Sequence, residues 1–238
     1  MRVEQDGSAC RITLPGGKLD AATAGWLVAT ITEIREDRSI RVVVLSADVE
    51  PFCSGPAEDL DPASFDPDPA AAIASLRPPV VAAISGACLS VGLEIALAAD
   101  VRVCNDATVF GFPDLADGRL PCWGGTQRLG RAIRPAEASA MLLLGRPLSA
   151  ERAASLGLVH AVGDDAQALA DELAGELSER GPLALELAKE AVHRGSELPL
   201  RDGLRLEGDL NHQLAATDDR AEGLAAFFDK RPPDFAGR

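Results

Sequence analysis

Histidine is scarce in this chain, and its scarcity argues against many catalytic sites. Only His160, His193 and His212 occur among the 238 residues. His160 lies in an apolar stretch and the other two lie in helical segments, so all three are interpreted as packing or surface residues. Ser90 lacks the G-x-S-x-G frame of a hydrolase nucleophile, because Gly86 lies four residues before it. A serine hydrolase with a histidine base is therefore disfavoured.

Metal-binding patterns and basic patches are also missing. The five cysteines do not fall at metal-ligand spacing, and their odd number indicates reduced thiols in a cytoplasmic protein. We expect neither a metal site nor a nucleic-acid partner, because acidic residues outnumber basic ones by 37 to 23 and no basic face is visible. No apolar run approaches the ~20 residues of a membrane span, and the polar first residues do not resemble a signal peptide.

The first part of the chain alternates between apolar strands and helices. Residues 41–45 and 79–84 are almost wholly apolar and rich in β-branched side chains, and a helix is predicted over 90–99. Strands of this kind are typical of an α/β core with helices on both faces of the sheet. Later segments are mostly helical, so we predict an α/β core over 1–190 and a C-terminal helical oligomerisation region over 191–238.

Two carboxylates stand near features that expose backbone N–H groups. Glu94 lies on the first turn of the predicted helix 90–99, and Asp114 follows Pro113, ten residues before the Gly124-Gly125 pair that leads into another helix. Helix starts leave N–H groups unpaired and favour negative charge. Two neighbouring carboxylates also titrate together, which helps one keep its proton near neutral pH. The pair is interpreted as an acid/base site, with solvated helix-start and turn carboxylates as the alternative.

Five segments of the sequence form an ordered set of motifs. They read PFCSG, ISGACLSVGLEIALAAD, FGFPD with GGTQRL, GRPLSA with GLV, and a tail containing EG, AFF and KRPPDF. This set resembles the enoyl-CoA hydratase/isomerase family, and the resemblance covers nearly the whole chain. It implies an α/β crotonase-like fold, which is a spiral of ββα units with a C-terminal helical trimerisation region. It also implies assembly as a homotrimer or a homohexamer.

The resemblance implies an enzyme that acts on an acyl-CoA thioester through an enolate, with 2-enoyl-CoA hydratase chemistry favoured. Glu94 and Asp114 match the two catalytic carboxylates of the family, which hold a water between them. The family usually has Glu at the second position, and Asp114 is shorter by one methylene, roughly 1.5 Å of reach. Coenzyme A is part of the substrate, so no separate cofactor is expected. An enoyl-CoA isomerase and a non-catalytic acyl-CoA-binding homologue stay open as alternatives.

The sequence departs from the family pattern at the oxyanion hole. The position of the first backbone donor is Pro56, which has no N–H, so either the hole has one donor or Ala57 donates instead. The second donor is the amide of Val91, whose β-branched side chain would resist a left-handed backbone. Asp59 stands where many members of the family carry a basic residue near the CoA phosphates. Pro56 and Asp59 favour the binding-protein alternative or an unusual substrate.

The resemblance also implies a set of contacts with coenzyme A. The two basic residues near the C-terminus match family residues that approach CoA from a neighbouring subunit, although an ordinary charged helix end explains them equally well. A lysine in the loop after Leu14 is able to compensate for the missing basic residue. The implied CoA-binding residues are Lys18, Gly55, Gly86, Lys230 and Arg231.

Overall fold

The computed structural model describes all residues from Met1 to Arg238 and contains strands and helices in alternation. The strands are β1 (Arg2–Asp6), β2 (Ala9–Leu14), β3 (Lys18–Leu19), β4 (Val42–Ala47), β5 (Gly55–Pro56), β6 (Val80–Ile84), β7 (Ala87–Leu89), β8 (Val101–Asn105), β9 (Val109–Gly111), β10 (Leu148–Ser149) and β11 (Ala161–Gly163). The helices are α1 (Ala21–Glu36), α2 (Pro69–Ala74), α3 (Val91–Ala98), α4 (Gly125–Ala132), α5 (Pro135–Leu144), α6 (Ala150–Leu156), α7 (Ala166–Ser178), α8 (Pro182–Gly195), α9 (Leu200–Ala215) and α10 (Asp218–Asp229). Short 3-10 helices cover Pro62–Ser64 and Asp114–Asp117. None of the helices combines the length and apolar composition needed to cross a bilayer.

The largest sheet has six strands in the order β1-β2-β4-β6-β8-β11. The β1–β2 pair is antiparallel and the other pairs are parallel. Alternate side chains of β4 and β6 belong to two separate apolar clusters, one on each face of the sheet. Helix α7 covers one face through three alanines, and α1 and α3 contribute to the cluster on the other. Because both faces are covered, these strands are almost wholly apolar, as the sequence indicated.

Smaller sheets bring three strand ends to one place. Strands β7 and β9 are parallel and pair Leu89 with Gly111 at their carboxyl ends. Cys53, just before β5, lies beside the end of β7, because its carbonyl oxygen accepts a hydrogen bond of 2.9 Å from Leu89 N. The residues that follow these strands therefore emerge side by side. They are the start of α3 after β7 and the 3-10 helix of Asp114 after β9.

Glycine allows α3 to begin directly against the β5 segment. A Cβ atom built on Gly92 would lie 2.4 Å from Cys53 Cβ, far inside van der Waals contact. Gly55 has φ +120, a conformation that L side chains rarely adopt. The two glycines therefore let the first turn of α3 and the loop containing Pro56 face each other closely.

The C-terminal helices close back on the chain and leave one aromatic surface uncovered. Phe235 packs near Gly181 and Gly223, so the last residues lie against α8 and α10. Phe227 and Phe228 are 77% and 76% exposed, and their rings meet edge to face at 5.7 Å. The sequence-based boundary between residues 190 and 191 falls inside α8, and the division into core and oligomerisation region stays a prediction.

Candidate active site

Glu94 is buried at the start of α3, with only 1% of its surface exposed. Its Oε1 atom accepts hydrogen bonds from the backbone N–H groups of Trp123, at 2.7 Å, and Gly125, at 2.8 Å. Gly124 has φ +93, and a Cβ on Gly125 would lie 2.7 Å from a ring carbon of Phe112. The Gly-Gly pair therefore lets the first N–H of α4, on Gly125, and the N–H of Trp123 before the helix reach the same carboxylate oxygen.

Burial shifts the proton affinity of Glu94. Desolvation is the largest effect and raises the pKa of this carboxyl from an ordinary 4.5 to about 7. The two backbone hydrogen bonds oppose the rise, while the negative charges of Asp114 and Asp68 add to it. Both protonation states of Glu94 are therefore populated near neutral pH, which suits a group that accepts and returns protons.

Asp114 lies in the first turn of a 3-10 helix after Pro113 and is 5% exposed. Its Oδ1 atom accepts a short hydrogen bond from the hydroxyl of Ser90. Its Oδ2 atom is buried and has no hydrogen-bond partner in the chain. Buried carboxylate oxygens are normally satisfied, so this atom indicates a place where water or substrate binds.

A cavity of about 210 Å³ joins these groups. Glu94, Asp114, Val91 and Pro56 all line it, so four of the residues singled out in the sequence meet in one place. The other lining residues are Asp61, Pro62, Ala63, Arg119, Leu120, Pro121 and Cys122. The acidic, proline-containing run 59–69 suggested either a solvated surface loop or a lid over a pocket, and it supplies three of these seven residues. The other four were not predicted, because loop residues without a motif carry no signal until the fold places them. No group of three or more His, Cys, Asp and Glu side chains has an arrangement suited to a metal ion.

Trp123 does more than fill space. Its backbone N–H holds Glu94, and its indole N–H donates to Pro62 O at 2.7 Å. Its ring also meets Phe65 edge to face, with centroids 6.1 Å apart. Trp123 therefore ties the 3-10 helix Pro62–Ser64 to the candidate acid/base pair.

The start of α3 offers an unpaired donor beside both carboxylates. The N–H of Val91 opens the helix and finds no acceptor within the chain. The backbone strain expected at Val91 lies one residue earlier, at Ser90, which has φ 52 and ψ −126. Val91 itself is helical, so its β-branched side chain does not oppose the position of its amide.

The segment predicted to carry the first oxyanion donor offers no free amide to the cavity. Pro56 lines the cavity and pairs with Leu19 across the parallel β3–β5 ladder. That ladder uses the N–H of Ala57, which donates to Leu19 O at 2.8 Å. Ala57 does not line the cavity either, which argues against it as the alternative donor.

The residues implied in CoA binding lie in several places. Lys18 is exposed and pairs with Gly55 in the β3–β5 ladder. Gly86 has φ +69 and lies outside the cavity lining. Lys230 ends α10 with φ 55, and both terminal nitrogens of Arg231 bond to Glu222, at 2.6 and 2.9 Å. The CoA roles of all five residues stay predictions.

The pKa of Glu94 predicts how stability depends on pH. The native protein keeps a proton that the unfolded chain releases between pH 4.5 and 7, so the free energy of unfolding should fall as pH rises through this window. The variant Glu94→Gln stays neutral and keeps one oxygen for the two N–H donors. Relative to wild type, it should gain roughly 3 kcal/mol of stability between acidic pH and pH 8.

Denaturant unfolding at a series of pH values measures this difference. The matched control is Glu33→Gln, which neutralises an exposed carboxylate on α1 and should run parallel to wild type. A constant offset between Glu94→Gln and wild type over the whole range would contradict the raised pKa.

Comparisons with known proteins identify the family of this chain. The family model described as enoyl-CoA hydratase/isomerase matches residues 10–238. The chain is 38% identical to the 2,3-dehydroadipyl-CoA hydratase of Escherichia coli, with 92% of this chain and 90% of that protein covered. It is also 38% identical to human enoyl-CoA hydratase domain-containing protein 2, mitochondrial, covering 89% and 78%.

A solved structure supports the same assignment. The crystal structure of an enoyl-CoA hydratase from Bacillus anthracis superposes with a TM-score of 0.91 at 31% identity, covering 100% of this chain and 99% of that one. This similarity confirms the crotonase fold expected from the motifs. The ordered motifs, the fold and the family match together show that this chain belongs to the enoyl-CoA hydratase/isomerase family.

Proposed function

We propose that this protein is a 2-enoyl-CoA hydratase that adds water across the double bond of an α,β-unsaturated acyl-CoA thioester. The observation that supports this most strongly is the meeting of two buried carboxylates, Glu94 and Asp114, with the free N–H of Val91 in one cavity. Hydration needs a bound water, two proton-transfer groups and a donor for the enolate oxygen. The cavity offers residues for each of these requirements.

The reaction balances with one proton shared by the carboxyl pair. The ionised group takes a proton from water while the water oxygen bonds to Cβ of the substrate. The π electrons of the C=C bond move toward the thioester carbonyl, which becomes an enolate held by Val91 N–H. The protonated group then gives its proton to Cα, and the carbonyl re-forms. One water is added, and the carboxyl pair again holds one proton, now on the opposite partner.

Two features adapt the groups to these roles. With its pKa raised to about 7, Glu94 is available in both protonation states near neutral pH. The Oδ2 atom of Asp114 is buried and unpartnered, so it is free to bind the reacting water. An enolate oxygen at the start of α3 also gains from the helix dipole. The substrate is an acyl-CoA thioester, no separate cofactor takes part, and the predicted cytoplasmic location belongs to the same proposal.

The first test measures product mass with a panel of 2-enoyl-CoA thioesters. Hydration adds the mass of one water, isomerisation leaves the mass unchanged but gives a compound with a different chromatographic retention, and a non-catalytic binding protein returns the substrate. We expect hydration, and we expect Glu94→Gln to lower kcat by about 10²–10⁴-fold, because a general acid/base typically contributes that much. Glu33→Gln serves as the control and should keep full activity. Wild-type kinetics in Glu94→Gln would overturn the assignment.

The second test restores an amide at position 56. Pro56 and Val91 line the same cavity, and the N–H of Ala57 already donates to Leu19 O. Pro56→Ala should therefore raise kcat/KM, by at most about 10²–10³-fold, which is the usual worth of one oxyanion donor. The control Pro62→Ala removes another proline ring from the cavity lining, but the N–H that it adds lies at the start of a 3-10 helix. It should not raise kcat/KM. Equal kcat/KM in wild type and Pro56→Ala would reject the single-donor hole.

The third test concerns assembly, which we propose to be a homotrimer or homohexamer. The exposed ring pair Phe227–Phe228 and the half-exposed Leu224 form an apolar face on α10, and faces of this kind commonly mark subunit contacts. The double variant Phe227→Asp/Phe228→Asp should lower the mass measured by light scattering at micromolar concentration. Val49→Asp changes an apolar residue of similar exposure away from α10 and should not. A monomeric wild-type protein would refute this proposal.

A further inference from the structure

Ser90 occupies a backbone conformation that suits glycine. Its φ of 52 and ψ of −126 lie outside the regions that side chains with a Cβ normally adopt. It is one of two residues other than glycine with positive φ, and the other, Lys230, has the ordinary left-handed geometry of a helix end. Strain of this kind persists where the surroundings enforce it, and it is concentrated at functional sites.

The side chain of Ser90 is not used for the structural role that its position suggests. Serine before the first residue of a helix usually accepts a hydrogen bond from an N–H of the first turn. Ser90 precedes α3 but makes no such bond. Its hydroxyl donates to Asp114 Oδ1 instead, inside a site where Ser90 is 2% exposed.

The main chain holds Ser90 and Asp114 in one frame. The N–H of Ser90 donates to Gly111 O at 3.0 Å, at the carboxyl end of β9 and three residues before Asp114. The hydroxyl bond adds a second link between the same two segments. Together they leave Asp114 little freedom to rotate.

The two carboxyl oxygens of Asp114 therefore differ in their hydrogen bonding. Oδ1 accepts the hydrogen bond from the Ser90 hydroxyl, whereas Oδ2 is buried and has no partner, on a residue that lines the cavity. We propose that Ser90 is the positioning residue of Asp114, fixing its rotamer so that Oδ2 alone exchanges protons. This inference deepens the proposed hydratase function and rests on it. It also explains how a carboxylate one methylene shorter than glutamate is held in place.

Two substitutions separate the hydroxyl from the backbone. Ser90→Ala removes the hydroxyl and keeps the Cβ with its strain, whereas Ser90→Gly removes both. We expect both variants to lose kcat by about 10–10²-fold with little change in KM, because a misplaced catalytic group costs about that much. Ser90→Gly should nevertheless melt above Ser90→Ala, by about 2–4 °C. The loss of kcat would then depend on the missing hydroxyl in both variants, whereas the difference in melting temperature between them would depend on the backbone strain.

A longer carboxylate provides the rescue experiment. In the Ser90→Gly background, adding Asp114→Glu should raise kcat at least about 5-fold over Ser90→Gly alone, because residues in contact are strongly coupled. The space left by the Ser90 side chain admits the extra methylene of glutamate. In the presence of Ser90, the same Asp114→Glu substitution should lower kcat. A general folding defect does not produce this reversal of sign. Wild-type kcat in both Ser90 variants, or the same effect of Asp114→Glu in both backgrounds, overturns the proposal.

A structural readout keeps this inference separate from the proposed function. If the wild-type protein does not hydrate any enoyl-CoA, the proposed function fails, and a crystal structure of Ser90→Gly still tests the positioning role. We expect the Asp114 side chain to turn away from its wild-type orientation or to occupy two orientations. An Asp114 rotamer unchanged from wild type would overturn the positioning role, whatever reaction the protein catalyses.

Discussion

The site depends on one buried carboxylate oxygen that is held by two backbone N–H groups, one at the start of α4 and one just before it. Glu94 Oε1 receives two N–H groups, from Trp123 and Gly125, and no side-chain cation is needed to keep it in place. These bonds lower the proton affinity of Glu94, but desolvation outweighs them and leaves the pKa at about 7. These contacts link α3, the segment before α4 and the 3-10 helix Pro62–Ser64, because the indole N–H of Trp123 also donates to Pro62 O. The packing that buries Glu94 therefore both fixes its place in the cavity and raises the pKa of its carboxyl group.

Close approach of backbones makes this arrangement possible, and glycine supplies it selectively. Gly92 lets α3 pack on Cys53, and Gly125 lets α4 reach Glu94 past Phe112. Ser90 is the counterexample, because it accepts an unfavourable φ of 52 in order to place a hydroxyl on Asp114. The chain thus keeps glycine where a Cβ would collide, and it tolerates a Cβ where the side chain gains a partner. The strained backbone at Ser90 is accompanied by a buried hydrogen bond from its hydroxyl to the carboxyl group of Asp114.

The sequence predicted the layered α/β core and the two carboxylates, since both depend on local patterns. Apolar strands such as 80–84 and a carboxylate one turn into a helix are readable without knowledge of distant contacts. The rest depends on pairings between distant segments. Whether Ala57 is a free donor is decided by Leu19 in another strand, and the role of Ser90 is decided by Asp114, 24 residues away. The expectation of strain at Val91 was wrong by one residue, because a motif locates a tight turn but does not assign its φ angles.

The chain carries a formal net charge of −14, and the cavity adds Asp61 to its two central carboxylates. An enolate formed there would be repelled unless donors stand directly beside it. Arg119 is the one basic residue of the lining, and its guanidinium already lies 2.9 Å from Asp117. In the proposed mechanism, the N–H of Val91 is the donor for the enolate oxygen. Unlike an arginine, a backbone N–H carries no net charge, and its direction is fixed by α3. Because the site is buried, a fixed dipole acts there with less screening than in water. In the proposed mechanism, proline at position 56 leaves the start of α3 as the principal donor for the developing oxyanion, so the rigidity of that helix start would matter more than in a hole with two donors.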